Sequence, residues 1–275
     1  MSLIKWLLSL ARPFGDHFPR IASIYRGVRD QLDFTEEPKV TPWGFKLAGN
    51  ASMAKGDFEP METKLVRDTL KDVDILVNVG ANVGYYCCHA LSMEKSVIAF
   101  EPIPRNVRFL CKNIKVNGWS GAEIYPIALS NRVGVLEIYG GTTGASVIKG
   151  WANTPENYVT LVPSSTMDIV LGSRLKEKKA LVLVDIEGAE KWMLEGALEL
   201  LANDPKPIWI LEICFTELHP QGSNSKFREI FETFWEHGYQ AYSVDADMRV
   251  VVPEDLRRWL DSGYRDFGYV TYMFR

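Results

Sequence analysis

From Asp74 onward, short and almost wholly apolar runs alternate with stretches of helical periodicity, and this alternation constrains the fold more than any other feature. The apolar runs cover 75–79, 96–100, 122–129, 180–184 and 207–213, with two more at 240–244 and 269–274. A strand apolar at every position suits a parallel sheet covered on both faces. Between the runs, 85–91, 106–116, 191–201 and 227–238 carry apolar residues three and four apart, as Val107, Leu110, Cys111 and Ile114 do. Strand–helix alternation of this kind predicts an α/β fold with right-handed crossovers. The expected sheet is mixed but mostly parallel, seven-stranded, with helices on both faces. Residues 131–165 break the rhythm with two β-like runs around glycine-rich 140–144, which predicts an antiparallel insertion.

The first 70 residues differ in texture and read as an accessory region, leaving 71–275 as the main domain. A helix is expected over 19–33, with Ile21, Ile24, Tyr25 and Val28 on one face. Pro38, Pro42-Trp43-Gly44 and Gly49-Asn50 predict turns or a hairpin, and helical spacing resumes over 62–70. The apolar stretch 4–10 is shorter than the roughly 20 residues that span a bilayer and lacks the features of a signal peptide. Leu3, Trp6, Leu7 and Leu10 recur at helical spacing. They suit a helix docked on the domain, with weak membrane-surface contact through residues 1–14 as the lesser alternative. A cytoplasmic setting is expected. The four cysteines, Cys87, Cys88, Cys111 and Cys214, show no metal-binding spacing; three sit in apolar runs, as small buried hydrophobes of a reducing compartment do. A net charge of −4, with basic residues clustered only at 174–179 and at Arg257-Arg258, argues against a nucleic-acid partner.

The first strand runs into Gly80-Ala81-Asn82-Val83-Gly84, a glycine turn at the sheet edge where open α/β folds bind ligands. The second strand ends at Glu101-Pro102, about 20 residues on, the separation at which an acid meets ribose hydroxyls. A dinucleotide loop needs a middle glycine so that the backbone can approach the pyrophosphate; Asn82 stands there instead. Acids at or beyond the strand ends, Glu101, Asp185, Glu187 and Glu190, suit a cation better than a phosphate. S-adenosylmethionine, a phosphate-free sulfonium, therefore fits better than NAD. Gly80 and Gly84 also suit a tight turn with close packing, and Glu190 suits the dipole at a helix start.

These residues resemble the FkbM family of methyltransferases. The similarity runs from Asp74 to Glu212, about half of the chain. It is carried by VNVGANVGYY at 77–86, FEPIPRN at 100–106, Asn113, Asn117, Ala128-Leu129-Ser130, the region of Asp168, DIEGAE at 185–190, and Pro207 with Glu212. The resemblance implies a Rossmann-like class I methyltransferase fold, S-adenosylmethionine as cofactor, and O-methylation of a sugar, glycan or natural product. It implies cofactor contacts by Asn78, Gly80, Ala81, Asn82, Gly84, Glu101, Pro102, Asn106, Ala128 and Asp185. It also implies that Asp185 and Glu187 lie near the methyl group or the acceptor. One departure is Asn78, where the family usually carries Asp; the lost charge points to weaker cofactor binding, or to Glu59 or Glu62 in that role.

Methyl transfer from a sulfonium is an in-line displacement, so alignment matters most and a base helps a hydroxyl acceptor. Asp185 or Glu187 is the expected base, with Glu212 or His219 in reserve. No resident metal is expected, since only Asp185 and Glu212 suggest themselves as ligands. The alternatives are a weakly catalytic or inactive assembly protein, to which Asn78 and the apolar N-terminus point, and an NAD-type oxidoreductase. The insertion and the N-terminal region are expected to shape the acceptor pocket, with Trp43, Trp151 and Tyr158 available for stacking on a sugar.

Overall fold

The computed structural model describes residues 19–275 apart from Ala246. The expected helix over 4–10 and the membrane contact through 1–14 lie outside the described residues. The chain opens with α1 (Pro19–Thr35), the hairpin β1 (Lys39–Val40) and β2 (Lys46–Leu47), then α2 (Ala51–Lys55) and α3 (Pro60–Leu70). Asn50 starts α2 by accepting the amides of Ser52 and Met53 at 3.0 and 3.1 Å, and Gly56 ends it in the left-handed region.

The parallel series follows as β3 (Ile75–Val79), α4 (Tyr85–Ser92), β4 (Ser96–Phe100), α5 (Pro104–Val116) and β5 (Ala122–Tyr125). A three-stranded sheet then interrupts it: β6 (Ala128–Leu129), β7 (Gly134–Tyr139) and β8 (Val159–Ser165). In it β7 and β8 are antiparallel and β6 runs parallel to β8. The series resumes with α6 (Met167–Leu171), β9 (Ala180–Val184), α7 (Glu190–Glu195), α8 (Leu198–Leu201), β10 (Ile208–Glu212) and α9 (Phe227–Glu236). It closes with β11 (Ala241–Ser243), β12 (Val250–Val251), α10 (Pro253–Ser262) and β13 (Thr271–Phe274).

The main sheet has the order β12-β11-β13-β10-β9-β3-β4-β5. From β10 to β5 all pairs are parallel, and β13 is antiparallel to both neighbours. The sheet is thus mixed and mostly parallel as expected, with eight strands rather than seven, because two-residue β12 adds an edge hairpin to β11. Alternate residues of β3 feed two cores: Ile75, Val77 and Val79 face the helices α7 and α9, and Leu76 faces α4 and α5. Helices therefore cover both faces, and this is why the strands are apolar throughout.

Three segments differ from the pattern read in sequence. The third strand stops at Tyr125, because Pro126 has no N–H to continue the ladder, and Ala128–Leu129 joins the small sheet instead. The single helix expected over 191–201 is two helices broken at Gly196, where a Cβ would lie 2.2 Å from the Ser130 carbonyl oxygen. Asp168 accepts the amides of Glu199 and Leu200, at 3.1 and 3.2 Å, and so caps the second of them. Helix α10 buries only Leu256 and Trp259, too narrow a stripe to stand out by periodicity. Among the described residues, no helix is long and apolar enough to cross a membrane.

The N-terminal segment is packed into the domain. Phe45, Leu47 and Met53 share one apolar cluster with Val83, Tyr85, Cys88 and Phe109. Buried Asn113 pins the hairpin to α5: its Oδ1 accepts the Ala48 amide at 2.8 Å, and its Nδ2 donates to the carbonyls of Ala48 and Val83.

Candidate active site

The chain leaves β3 for β4 on one side of the sheet and later crosses to β9 on the other, so β3 and β9 flank the switch point where such sheets hold ligands. Gly80 and Asp185 meet there. Gly80 has φ +83°, and a Cβ on it would lie 1.8 Å from the Asp185 carbonyl oxygen. The first glycine of the turn is thus demanded by the neighbouring backbone. Gly84 answers to a different neighbour: it starts α4 at φ +88°, and its missing Cβ would meet Leu110 Cδ1 at 2.3 Å. Gly84 borders neither of the cavities described next.

Two cavities open at this edge. The first, about 650 Å³ with its mouth included, lies toward β4 and the small sheet. It is lined by Gly80, Asn82, Glu101, Pro102, Asn106, Ala128, Asp185 and Glu187, against the apolar Ile103, Ile127 and Ile138. The second, about 540 Å³, lies toward the N-terminal segment, β10 and β13. Asn78, Ala81, Glu59, Glu62, Tyr85, Tyr86, Glu212 and Thr271 line it. Gly80, Asn82 and Asp185 border both cavities, so the two form one elongated site with this strip at its waist.

Glu101 organises the first cavity. Its Oε2 accepts the Asn82 amide at 2.7 Å and its Oε1 the Ile103 amide at 2.8 Å, with Asn106 Nδ2 at 3.4 Å. Asn82 reaches this bond with φ +50°, a left-handed conformation that Asn tolerates. Burial raises Glu101 to about 7 despite these donors. Asn106 Oδ1 is buried without a partner, an acceptor available to a ligand.

The second cavity is acidic. Among its lining residues four are carboxylates and none is Lys, Arg or His. Burial raises Glu59 to about 7, opposed by a 2.9 Å hydrogen bond from the Tyr86 hydroxyl and reinforced by Glu62 and Glu187. Burial raises Glu212 to about 8, with Glu187 and Glu59 adding repulsion. Asp185 is pushed well above the usual carboxylate range by burial, then by Glu212 and Glu187. Carboxylates crowded together without a cation hold protons more tightly, or await a positive ligand. Glu59 also carries backbone strain at φ +39°, just before Pro60 opens α3.

The residues present fit S-adenosylmethionine. Its adenosine matches the first cavity, apolar walls around a carboxylate and a free acceptor; its sulfonium and ammonium match the acid-lined second. Asn78, buried on β3, gives its amide to Cys87 Sγ at 3.4 Å and brings no charge. The carboxylates that the N-terminal segment brings to the same cavity are Glu59 and Glu62. Among the described residues, no three acidic, His or Cys side chains are grouped to hold a metal ion.

Of the other expected residues, Glu187 lines the first cavity and His219 does not. Glu187, at φ +55°, has its carboxylate held by the Trp151 indole at 2.7 Å. Burial raises its pKa and this bond opposes the rise. His219 borders neither cavity; its ring meets the Trp151 ring edge-on, with centroids 4.6 Å apart, and burial lowers its pKa. Sequence reasoning did not single out Tyr85, Tyr86 or Thr271. The two tyrosines follow the glycine turn directly, a usable signal; Thr271 arrives by antiparallel pairing and leaves none.

An acidic cleft at the switch point of such a sheet, with no Lys, Arg or His among its lining residues, suits a positively charged cofactor better than a phosphate. The family model of the methyltransferase FkbM domain matches residues 78–241, more than half of the chain, and the chain belongs to that family. Its cofactor is S-adenosylmethionine. No protein among those with curated descriptions matches the sequence. Solved structures similar to it include precorrin-6y C5,15-methyltransferase from Geobacter metallireducens, at 10% identity and TM-score 0.41, covering 83% of this chain and 95% of that one. They also include ribosomal protein L11 methylase from Lactobacillus delbrueckii subsp. bulgaricus, at 11% identity and TM-score 0.38, covering 78% and 77%. A third is the methyltransferase domain of bacterial CtHen1, at 11% identity and TM-score 0.41, covering 78% and 95%.

Proposed function

We propose that the protein is an O-methyltransferase acting on a hydroxyl of a neutral sugar, glycan or natural product, with Asp185 or Glu187 as the base. The observation that carries this reading is Asp185 at the waist shared by the two cavities, with Glu187 beside it on the wall of the first, both carboxylates pushed by burial toward holding their protons. When bound, S-adenosylmethionine supplies an electrophilic methyl on a sulfonium with a neutral leaving group. Glu101 and Asn106 would hold the adenosine, while Glu59, Glu62 and Glu212 would face the positive end. Asp185 or Glu187 would take the proton of the acceptor hydroxyl. A carboxylate whose proton affinity is raised by burial suits that task. The ring of acids disfavours anionic acceptors such as phosphates and carboxylates.

In this reading 71–275 form the cofactor-binding domain, and the segment before it completes the site through Glu59 and Glu62. A cytoplasmic setting belongs to the same reading, supported by four unpaired cysteines. The test is transfer of labelled methyl to a panel of methyl glycosides by wild type, Asp185→Asn and Glu187→Gln. Loss of about a hundredfold or more in one variant is expected. Near-normal turnover in both would remove these residues from the role and leave Glu212 and His219 to be tried.

A further inference from the structure

We infer that Trp151, carried by the β insertion, is a positioning residue that aims the Glu187 carboxylate into the site through its indole N–H. This rests on the reading of Glu187 as a base, and deepens it.

Glu187 is held from three directions. Its backbone is in the left-handed region at φ +55°, followed by Gly188 at φ +96°. Such strain persists only where surroundings over-determine it. Ser146 Oγ, in the insertion, donates to the Glu187 carbonyl at 2.6 Å. The Gly188 amide donates to Glu190 Oε1 at 2.9 Å. Trp151 Nε1 donates to Glu187 Oε2 at 2.7 Å, and Trp151 itself is fully buried. The indole lies flush on the turn: a Cβ on Gly188 would sit 2.8 Å from its ring. The ring is fixed from behind by the edge of His219 and by the Ala152 amide, which donates to the Leu218 carbonyl at 3.0 Å.

The donor type matters. An indole N–H donates and does not titrate. It fixes one carboxylate oxygen without the full neutralising charge that Lys or Arg would bring, so Glu187 is aimed and remains basic. The titratable groups around it are Asp185 and Glu190 from its own turn, Glu59 ahead of α3, Glu212 at the end of β10 with Cys214 just beyond, and His219 across the Trp151 ring. A long glutamate without the indole bond has several rotamers to occupy.

The experiment pairs a titration with kinetics. With tryptophan labelled by nitrogen-15, one indole N–H resonance is absent in Trp151→Phe. In wild type it is expected to move with pH as Glu187 titrates, and to stop moving in Glu187→Gln. Trp151→Phe keeps the buried ring and removes the donor. It should lower kcat on the methyl glycosides by about tenfold or more while KM and S-adenosylhomocysteine affinity stay within about twofold. The acid limb of its pH profile should move to higher pH, since the bond that favours the ionised form is gone. If Trp151→Phe does not fold, the wild-type and Glu187→Gln titrations decide alone. A Trp151 resonance indifferent to pH, or unchanged kcat in Trp151→Phe, would overturn the proposal. Near-normal turnover in Glu187→Gln would strike instead at the reading of Glu187 as base.

Discussion

Gly80→Ala probes the junction on which the site is built. The added Cβ would lie 1.8 Å from the Asp185 carbonyl oxygen and 2.9 Å from its carbon, so backbone, not a pliable side chain, has to give. Two penalties combine. The left-handed φ of +83° costs an alanine about 1–2 kcal/mol. Forcing β3 and β9 apart adds about 1–3 kcal/mol, typical of overpacking. The sum, about 2–5 kcal/mol, is a large part of the stability of an ordinary domain. Gly44 is the control, with φ +89° and nothing within 4 Å of where its Cβ would stand, so Gly44→Ala shows the conformational part alone. Urea unfolding of both variants gives the difference, and calorimetry with S-adenosylhomocysteine reports the site. Gly80→Ala should be the less stable by at least about 1 kcal/mol and lose binding, while Gly44→Ala binds normally. Equal stabilities with intact binding in Gly80→Ala would refute the close approach of Asp185.

Asn113→Ala leaves the amide and carbonyl of Ala48 and the carbonyl of Val83 without their partner, and should cost about 2–4 kcal/mol in urea unfolding; a loss under about 1 kcal/mol would contradict the pinning role. The buried acids should make stability fall with rising pH. Glu101 and Glu190 hold protons up to about 7 and Glu212 up to about 8, all above 4.5, so their favourable contribution is complete below 4.5 and lost as pH rises through 7 and 8. Glu190→Gln, at a side chain only 1% exposed, should therefore melt higher than wild type at pH 8.5, by on the order of 2 kcal/mol, and show little gain at pH 5. An equal effect at both pH values would contradict it.

The fold was legible because its signals are local. Apolar runs such as 180–184 need two covering layers, and a glycine turn after the first strand marks the ligand edge. Gly80, Asn82 and Glu101 do converge on one cavity. What sequence hid depends on distant neighbours. Gly84 carries the same motif position whether it meets a cofactor or Leu110, and only packing separates the two. Gly196 lies inside the run 191–201 expected as one helix, and only the close approach of the Ser130 backbone marks the break there. His219 sat close in sequence to the end of a strand, yet its ring is taken up by Trp151 from the insertion. The link from Trp151 to Glu187 spans 36 residues, and strained Glu59 joins Glu212 at the second cavity from the other end of the chain, both beyond the reach of any periodicity.

The proposed function requires the acid-lined cleft at the ends of β3 and β9 to hold a positively charged, phosphate-free donor. Calorimetry of S-adenosylmethionine against S-adenosylhomocysteine between pH 6 and pH 8.5 tests it most directly, because the two ligands differ by the sulfonium charge. As Glu59 and Glu212 ionise near 7 and 8, the preference for S-adenosylmethionine should grow with pH. A preference flat across that range, or tighter binding of NAD than of either ligand, would contradict it.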